Sequence, residues 1–202
     1  MKTITLQIKS LLFFVLFCTI FPSYGDIIHE IKNTEDTKLI KLTTNQGEIT
    51  IKLFEAEAPE TVKNFLQYAK SEAFNGTIFH RVIANFMIQG GGLMPDMTQI
   101  PSNAPVVNES NNNLSNKKGT LAMARTSDPH SATSQFFINL KDNDFLDKAN
   151  APDQYGYCVF GEVVEGIEVV EKIGQVQTGN ASGHSDVPLE AILIESVTII
   201  EK

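Results

Sequence analysis

The 202-residue chain has no tryptophan, only two cysteines and only four histidines. Each shortage excludes something. His29, His80, His130 and His184 are scattered and have no cysteine companions, so no zinc-binding spacing is present. His29-Glu30 opens like a zinc-protease motif, but Asn33 stands where the second histidine would have to be. A Gly-x-x-x-x-Gly-Lys phosphate loop and a Gly-x-Ser-x-Gly nucleophile elbow are also missing. Gly90-Gly91-Gly92 lacks the strand-to-helix setting of a phosphate nest and reads as a loop needing unusual backbone angles. The expectation is a binding surface with no metal and no cofactor. Positive charge is scarce as well: 16 Lys and Arg against 24 Asp and Glu give a net charge of −8. That balance opposes nonspecific binding to nucleic acid or to an anionic membrane.

Long apolar runs are limited to one. Leu11 to Phe21 is interrupted only by Thr19, follows Lys2 and Lys9, and leads to small residues at Ser23 and Gly25. This is the pattern of a cleaved secretory signal over residues 1–25. The run is too short for a spanning helix, which needs about 20 apolar residues. Bulky Leu16 and Phe17 speak against a lipid on Cys18. Cleavage before Asp26 removes Cys18 and two lysines, leaving a more acidic mature chain with Cys158 as its lone thiol. No internal disulfide is then possible, so the core must hold the fold together unaided. Cys158 itself reads as a small strand residue.

Residues 26–37 are a polar lead-in, and 38–202 read as one folded domain. Thirteen Phe against four Tyr predict a core of Phe, Ile, Val and Leu. Alternation in Lys38–Leu53 around Asn45-Gln46-Gly47 predicts a β-hairpin. Pro59 followed by Val62, Phe65, Leu66 and Ala69 predicts a helix to about Ser71. Short strands are expected in 77–82, 86–89, 119–125, 134–140 and 157–164, with one or two more in 189–200. A second helix is expected over Ile167–Ile173. Residues 93–118 and 174–188 read as surface loops. Many short strands with two isolated helices point to a β-barrel or sandwich.

Phe79-His80-Arg81-Val82-Ile83, followed by Asn85-Phe86-Met87-Ile88-Gln89-Gly90-Gly91, resembles the signature of the cyclophilins. Gly119 to Arg125, Ser131 to Ile138 and Val159 to Val163 resemble the same family in the same order, so the likeness spans about Lys38 to Ile200. It is greatest to the periplasmic cyclophilins of Gram-negative bacteria. The resemblance implies a mainly β fold, a closed eight-stranded antiparallel barrel capped by two α-helices, and peptidyl-prolyl cis-trans isomerase activity. It implies Arg81 and Gln89 as catalytic residues. Phe86, Met87, Phe137 and Leu146 match the family's apolar proline pocket. Arg125 matches a position that holds substrate through its backbone, and Gln135 lines the groove. Phe145 and Tyr157 stand where many eukaryotic members have tryptophan and histidine. In those members the tryptophan packs on cyclosporin A and donates its indole N–H, so weak cyclosporin binding is expected. The implied partners are proline-containing peptides and unfolded proteins, met by a monomer in the periplasm.

Taken singly, these residues have plainer readings. A lone arginine is usually a surface ion-pair partner, and Phe or Met is usually core. The ordered blocks reverse that for Arg81, Phe86, Met87 and Phe137. His80 keeps the plain reading, a structural histidine beside the site. The alternative function is a non-catalytic peptide-binding chaperone using the same groove, although binding alone does not require the Arg81 donor.

Overall fold

Alternating side chains set the first two strands. β1 (Leu39–Thr44) and β2 (Gly47–Leu53) pair antiparallel across Asn45-Gln46, and they bury Ile40, Leu42, Ile49 and Ile51 completely. The computed structural model describes residues 38–200; the expected signal, the lead-in and the last two residues lie outside the described residues. α1 (Pro59–Lys70) begins at its proline, and Ala58 offers no side-chain cap. The free donors of its first turn instead meet a distant carboxylate. Glu109 accepts from the backbone N–H of Thr61 at 2.8 Å, from its hydroxyl at 2.7 Å and from the N–H of Glu60 at 3.2 Å. An anion there also opposes the positive end of the helix.

The remaining strands are β3 (Phe79–Ile83), β4 (Met87–Gly90), β5 (Thr120–Met123), β6 (Phe136–Asn139), β7 (Val159–Glu165), β8 (Thr178–Ala181), β9 (His184–Pro188) and β10 (Ile194–Ile200). A short 3₁₀ turn covers Asp144–Leu146, and α2 spans Ile167–Ile173 as expected. Eight strands form one antiparallel sheet in the order β10-β1-β2-β7-β5-β6-β4-β3. α1 packs against β10 and α2 against β2.

The expected closed barrel is corrected here: the sheet curls into an open half-barrel. Between its edges, β3 and β10, the link is an isolated bridge from Ile78 to Leu193 with three backbone hydrogen bonds around it. No ladder continues along β3, because β9 packs beside that strand instead. The second correction concerns 174–188, expected as loop, where β8 and β9 form a hairpin. Ser182 and Gly183 make its two-residue turn with φ of 51° and 80°, positive at both positions as strand twist favours.

The core is built from Phe, Ile, Val and Leu as composition indicates, and its aromatic rings cluster. The ring of Phe65 on α1 lies 4.9 Å from Phe74, 5.5 Å from Phe136 and 5.4 Å from Phe160, centre to centre. All four are sealed from solvent. Rings at these separations add about 0.5–1.5 kcal/mol per pair beyond area burial.

Candidate active site

The strands that build the core present a second apolar face. Because successive side chains alternate, Ile88, Leu121, Phe136 and Ile138 point into the core while Met87, Ala122 and Phe137 point the other way. With Leu146 and Val159 these three form a separate apolar cluster, flanked by Ile83, Phe86 and Tyr157. Both faces of β4, β5 and β6 are thereby covered.

Arg81 reaches this second face through a bulge. Phe79 pairs with Gly90 and Arg81 with Gln89, which leaves His80 as the extra residue of β3. Phe79 and Val82 both join the core although they are three apart, an odd interval that a regular strand would not allow. The bulge switches the parity and turns Arg81 and Ile83 outward.

The result is a cleft of about 200 Å³ beside the second cluster. Eight of the ten expected site residues line it: Arg81, Phe86, Met87, Gln89, Arg125, Phe137, Leu146 and Tyr157. Gln135 instead lines an adjoining polar cleft of about 390 Å³, together with Arg81, Gln89 and His184. The two glutamines are linked: Gln89 Nε2 donates to Gln135 Oε1 at 2.9 Å. Phe145 stands at the rim, half exposed and stacked on Phe86 at 5.7 Å with an interplanar angle of 25°.

Gly91 and Gly92, beside the site, have different causes. Gly91 has φ of 78°, as the expected unusual backbone requires. At Gly92 a Cβ would come within 2.3 Å of Gln135 Cγ, so close approach explains that residue.

Arg125 is tied down inside the protein. Its Nε donates to the Gly156 carbonyl at 3.0 Å, Nη1 to the Thr126 carbonyl at 3.0 Å and Nη2 to Asp153. Its guanidinium lies 4.4 Å over the Tyr157 ring, which meets Phe137 edge-on at 5.7 Å. The backbone N–H groups of Gly156 and Tyr155, then Arg125, hold the Asp153 carboxyl down to about 2. The Arg125 side chain thus positions the Tyr157 wall of the cleft, and its backbone stays available.

His80 is 5% exposed, and its Nδ1 has no hydrogen-bond partner. Burial lowers its pKa to about 4, with repulsion from His184 and Arg81 in the same direction. A neutral, weakly basic imidazole is a poor proton carrier near pH 7. Cys158 is buried beside Thr61, and burial pushes its thiol up to about 11. It is therefore unreactive at neutral pH.

Sequence reasoning missed Ala124, which lines the cleft, and Asp186, whose Oδ2 lies 3.6 Å from Arg81 Nε. Ser182-Gly183 was the available signal for the hairpin that carries Asp186.

The family model for cyclophilin type peptidyl-prolyl cis-trans isomerases matches residues 39–199. The chain belongs to the cyclophilin family. Peptidyl-prolyl cis-trans isomerase B of Escherichia coli is 57% identical to this cyclophilin over 164 residues, covering 81% of the chain and all of that protein. Peptidyl-prolyl cis-trans isomerase A of Dickeya dadantii is 53% identical over 163 residues, covering 81% of the chain and 85% of its own length. A cyclophilin type isomerase of Cryptosporidium parvum, crystallised in the presence of the dipeptide Ala-Pro, superposes with a TM-score of 0.67 at 26% identity. That match covers 81% of the chain and 99% of the neighbour. The protein is a peptidyl-prolyl cis-trans isomerase.

Proposed function

We propose that this cyclophilin accelerates X-Pro rotation by aiming the Arg81 guanidinium at the proline nitrogen of a substrate seated in the cleft. The observation that carries the reading is the arginine itself, placed beside a pocket floored by Met87 and Phe137. Uncatalysed rotation faces a barrier of about 18–20 kcal/mol. No bond breaks, so neither nucleophile nor cofactor is needed. At the twisted transition state, amide resonance is lost and the nitrogen gains a lone pair. A fixed donor there binds the twisted amide better than either planar form. Arginine suits the task because it is always charged and offers several donors in one plane. Turnover of about 1–1,000 per second requires a barrier lower by roughly 3–7 kcal/mol, within reach of one or two charge-assisted hydrogen bonds in a dry pocket.

Phe86, Met87, Phe137 and Leu146 take the proline ring, Gln89 and Gln135 hold the peptide by hydrogen bonds, and Arg125 contributes its backbone. The substrates are proline-containing segments of unfolded exported polypeptides. The working unit is a monomer in the periplasm, released by cleavage before Asp26; an unprocessed or acylated N-terminus in secreted protein would refute that placement. Protease-coupled isomerisation of a short Ala-Pro peptide tests the catalytic reading. Catalytic amounts should speed the reaction in proportion to enzyme. Peptide binding without acceleration would favour the chaperone alternative.

A further inference from the structure

The hairpin β8–β9 contributes nothing to the eight-stranded sheet, yet it lies against β3, the edge strand that bears Arg81. Its pairing is irregular at one point. Gly179 pairs with Val187 and Ala181 with His184, so Ser185 and Asp186 together face the single residue Asn180. Bulges of this kind re-aim a side chain. Asp186 is also held at φ of 61°, a left-handed conformation that most residues avoid and Asp and Asn tolerate. The outcome of both distortions is the contact with Arg81, at 3.6 Å between Oδ2 and Nε. Among the described residues, Asp186 is the sole carboxylate within ion-pair distance of that guanidinium. Gln89, directly across from Arg81 in the ladder, donates its side-chain N–H to Gln135 Oε1.

We propose that the hairpin is a brace for the catalytic arginine and that Asp186 is a positioning residue, acting by holding the Nε edge of Arg81. With that edge fixed, the terminal Nη donors are left to face the cleft. The proposal rests on the reading of Arg81 given above. Both partners are about half exposed, so the pair is a modest one. Its effect is orientation: a guanidinium free to sweep through several rotamers spends less time aimed at the twisted amide, and turnover falls while peptide affinity does not.

The test compares Asp186→Asn and Asp186→Gly in isomerase assays, each alone and combined with Arg81→Ala. Asparagine keeps the shape and tolerates positive φ but removes the charge; glycine removes the carboxylate and relieves any backbone strain. Both should lower kcat by about two- to fivefold, the range of half-exposed ion pairs, with KM unchanged. Neither should lower the rate further once Arg81 is alanine. Turnover in the asparagine variant equal to or above wild type, a loss confined to KM, or an equal loss in the Arg81→Ala background would each overturn the proposal. Failure of the underlying reading is distinguishable, since it would show as an Arg81→Ala enzyme that is itself fully active.

Discussion

Phe145 is half exposed at the rim of the site and stacks on Phe86. A phenyl ring supplies apolar contact but has no N–H. A cyclic peptide ligand that buries a carbonyl at the rim therefore loses a partner, at about 1–3 kcal/mol. A small Ala-Pro peptide, with its proline on Met87 and Phe137 as proposed, should be little affected. Cyclosporin A should bind one to two decades more weakly than to tryptophan-bearing cyclophilins, at about 1.4 kcal/mol per decade, with isomerase activity intact. Phe145→Trp should recover much of the affinity. Equal titration curves for the two proteins would count against this account of the rim. Residue identities of this kind were legible in the sequence wherever they sat in an ordered block, as Arg81, Phe86-Met87 and Phe137 did. Asp186 was not, because its contact with Arg81 depends on a bulge and a positive φ that its neighbours do not signal. Arg125 was legible as a position, whereas its anchoring through Gly156 and Asp153 depends on contacts 28 to 31 residues away in the chain.

Local pattern fixed most elements well. Pro59 announced α1, and the helix expected over Ile167–Ile173 matched α2 end to end. β5 and β6 are three residues shorter than expected, because residues beyond the ladder still face covered surface: Ala124 lines the cleft one residue past β5. The hairpin β8–β9 escaped notice since His184, Ser185 and most of β8 are solvent-facing and show no apolar alternation. The asparagine-rich stretch before β5 reads as solvent loop but is stapled down by its side chains. Asn112 Nδ2 donates to the Val159 carbonyl at 2.9 Å, and Asn116, fully buried, donates to Asp147 Oδ1 at 2.9 Å. Asn139 and Asn143 extend the network, the latter donating to the Phe86 carbonyl at 2.9 Å. Polar side chains here satisfy backbone groups that a strand ladder would otherwise have satisfied. Closure of the sheet was equally illegible, since it depends on whether β9 or β10 lies along β3.

For the molecule as a whole, acid sensitivity follows from His80. The folded chain keeps this imidazole neutral down to about 4, while the unfolded chain protonates it near 6.5. Between those values the unfolded state binds the extra proton, so stability falls as the pH falls from 6.5 toward 4. The loss approaches ~3 kcal/mol at the acid end. Asp153, held near 2, titrates below this window. Urea midpoints at pH 7 and pH 4.5 should therefore separate clearly in wild type and much less in His80→Gln. An identical drop in both would contradict the assignment.

The central claim is that Arg81 stabilises the twisted amide and does not merely hold the peptide. Measuring kcat/KM and peptide affinity side by side in a folded Arg81→Ala variant tests it most directly. The account predicts a loss of about two or more decades in kcat/KM, at about 1.36 kcal/mol per decade, with thermal stability unchanged and affinity altered far less than the rate. A folded Arg81→Ala enzyme with near-normal turnover, or one whose affinity falls as steeply as its rate, would contradict it.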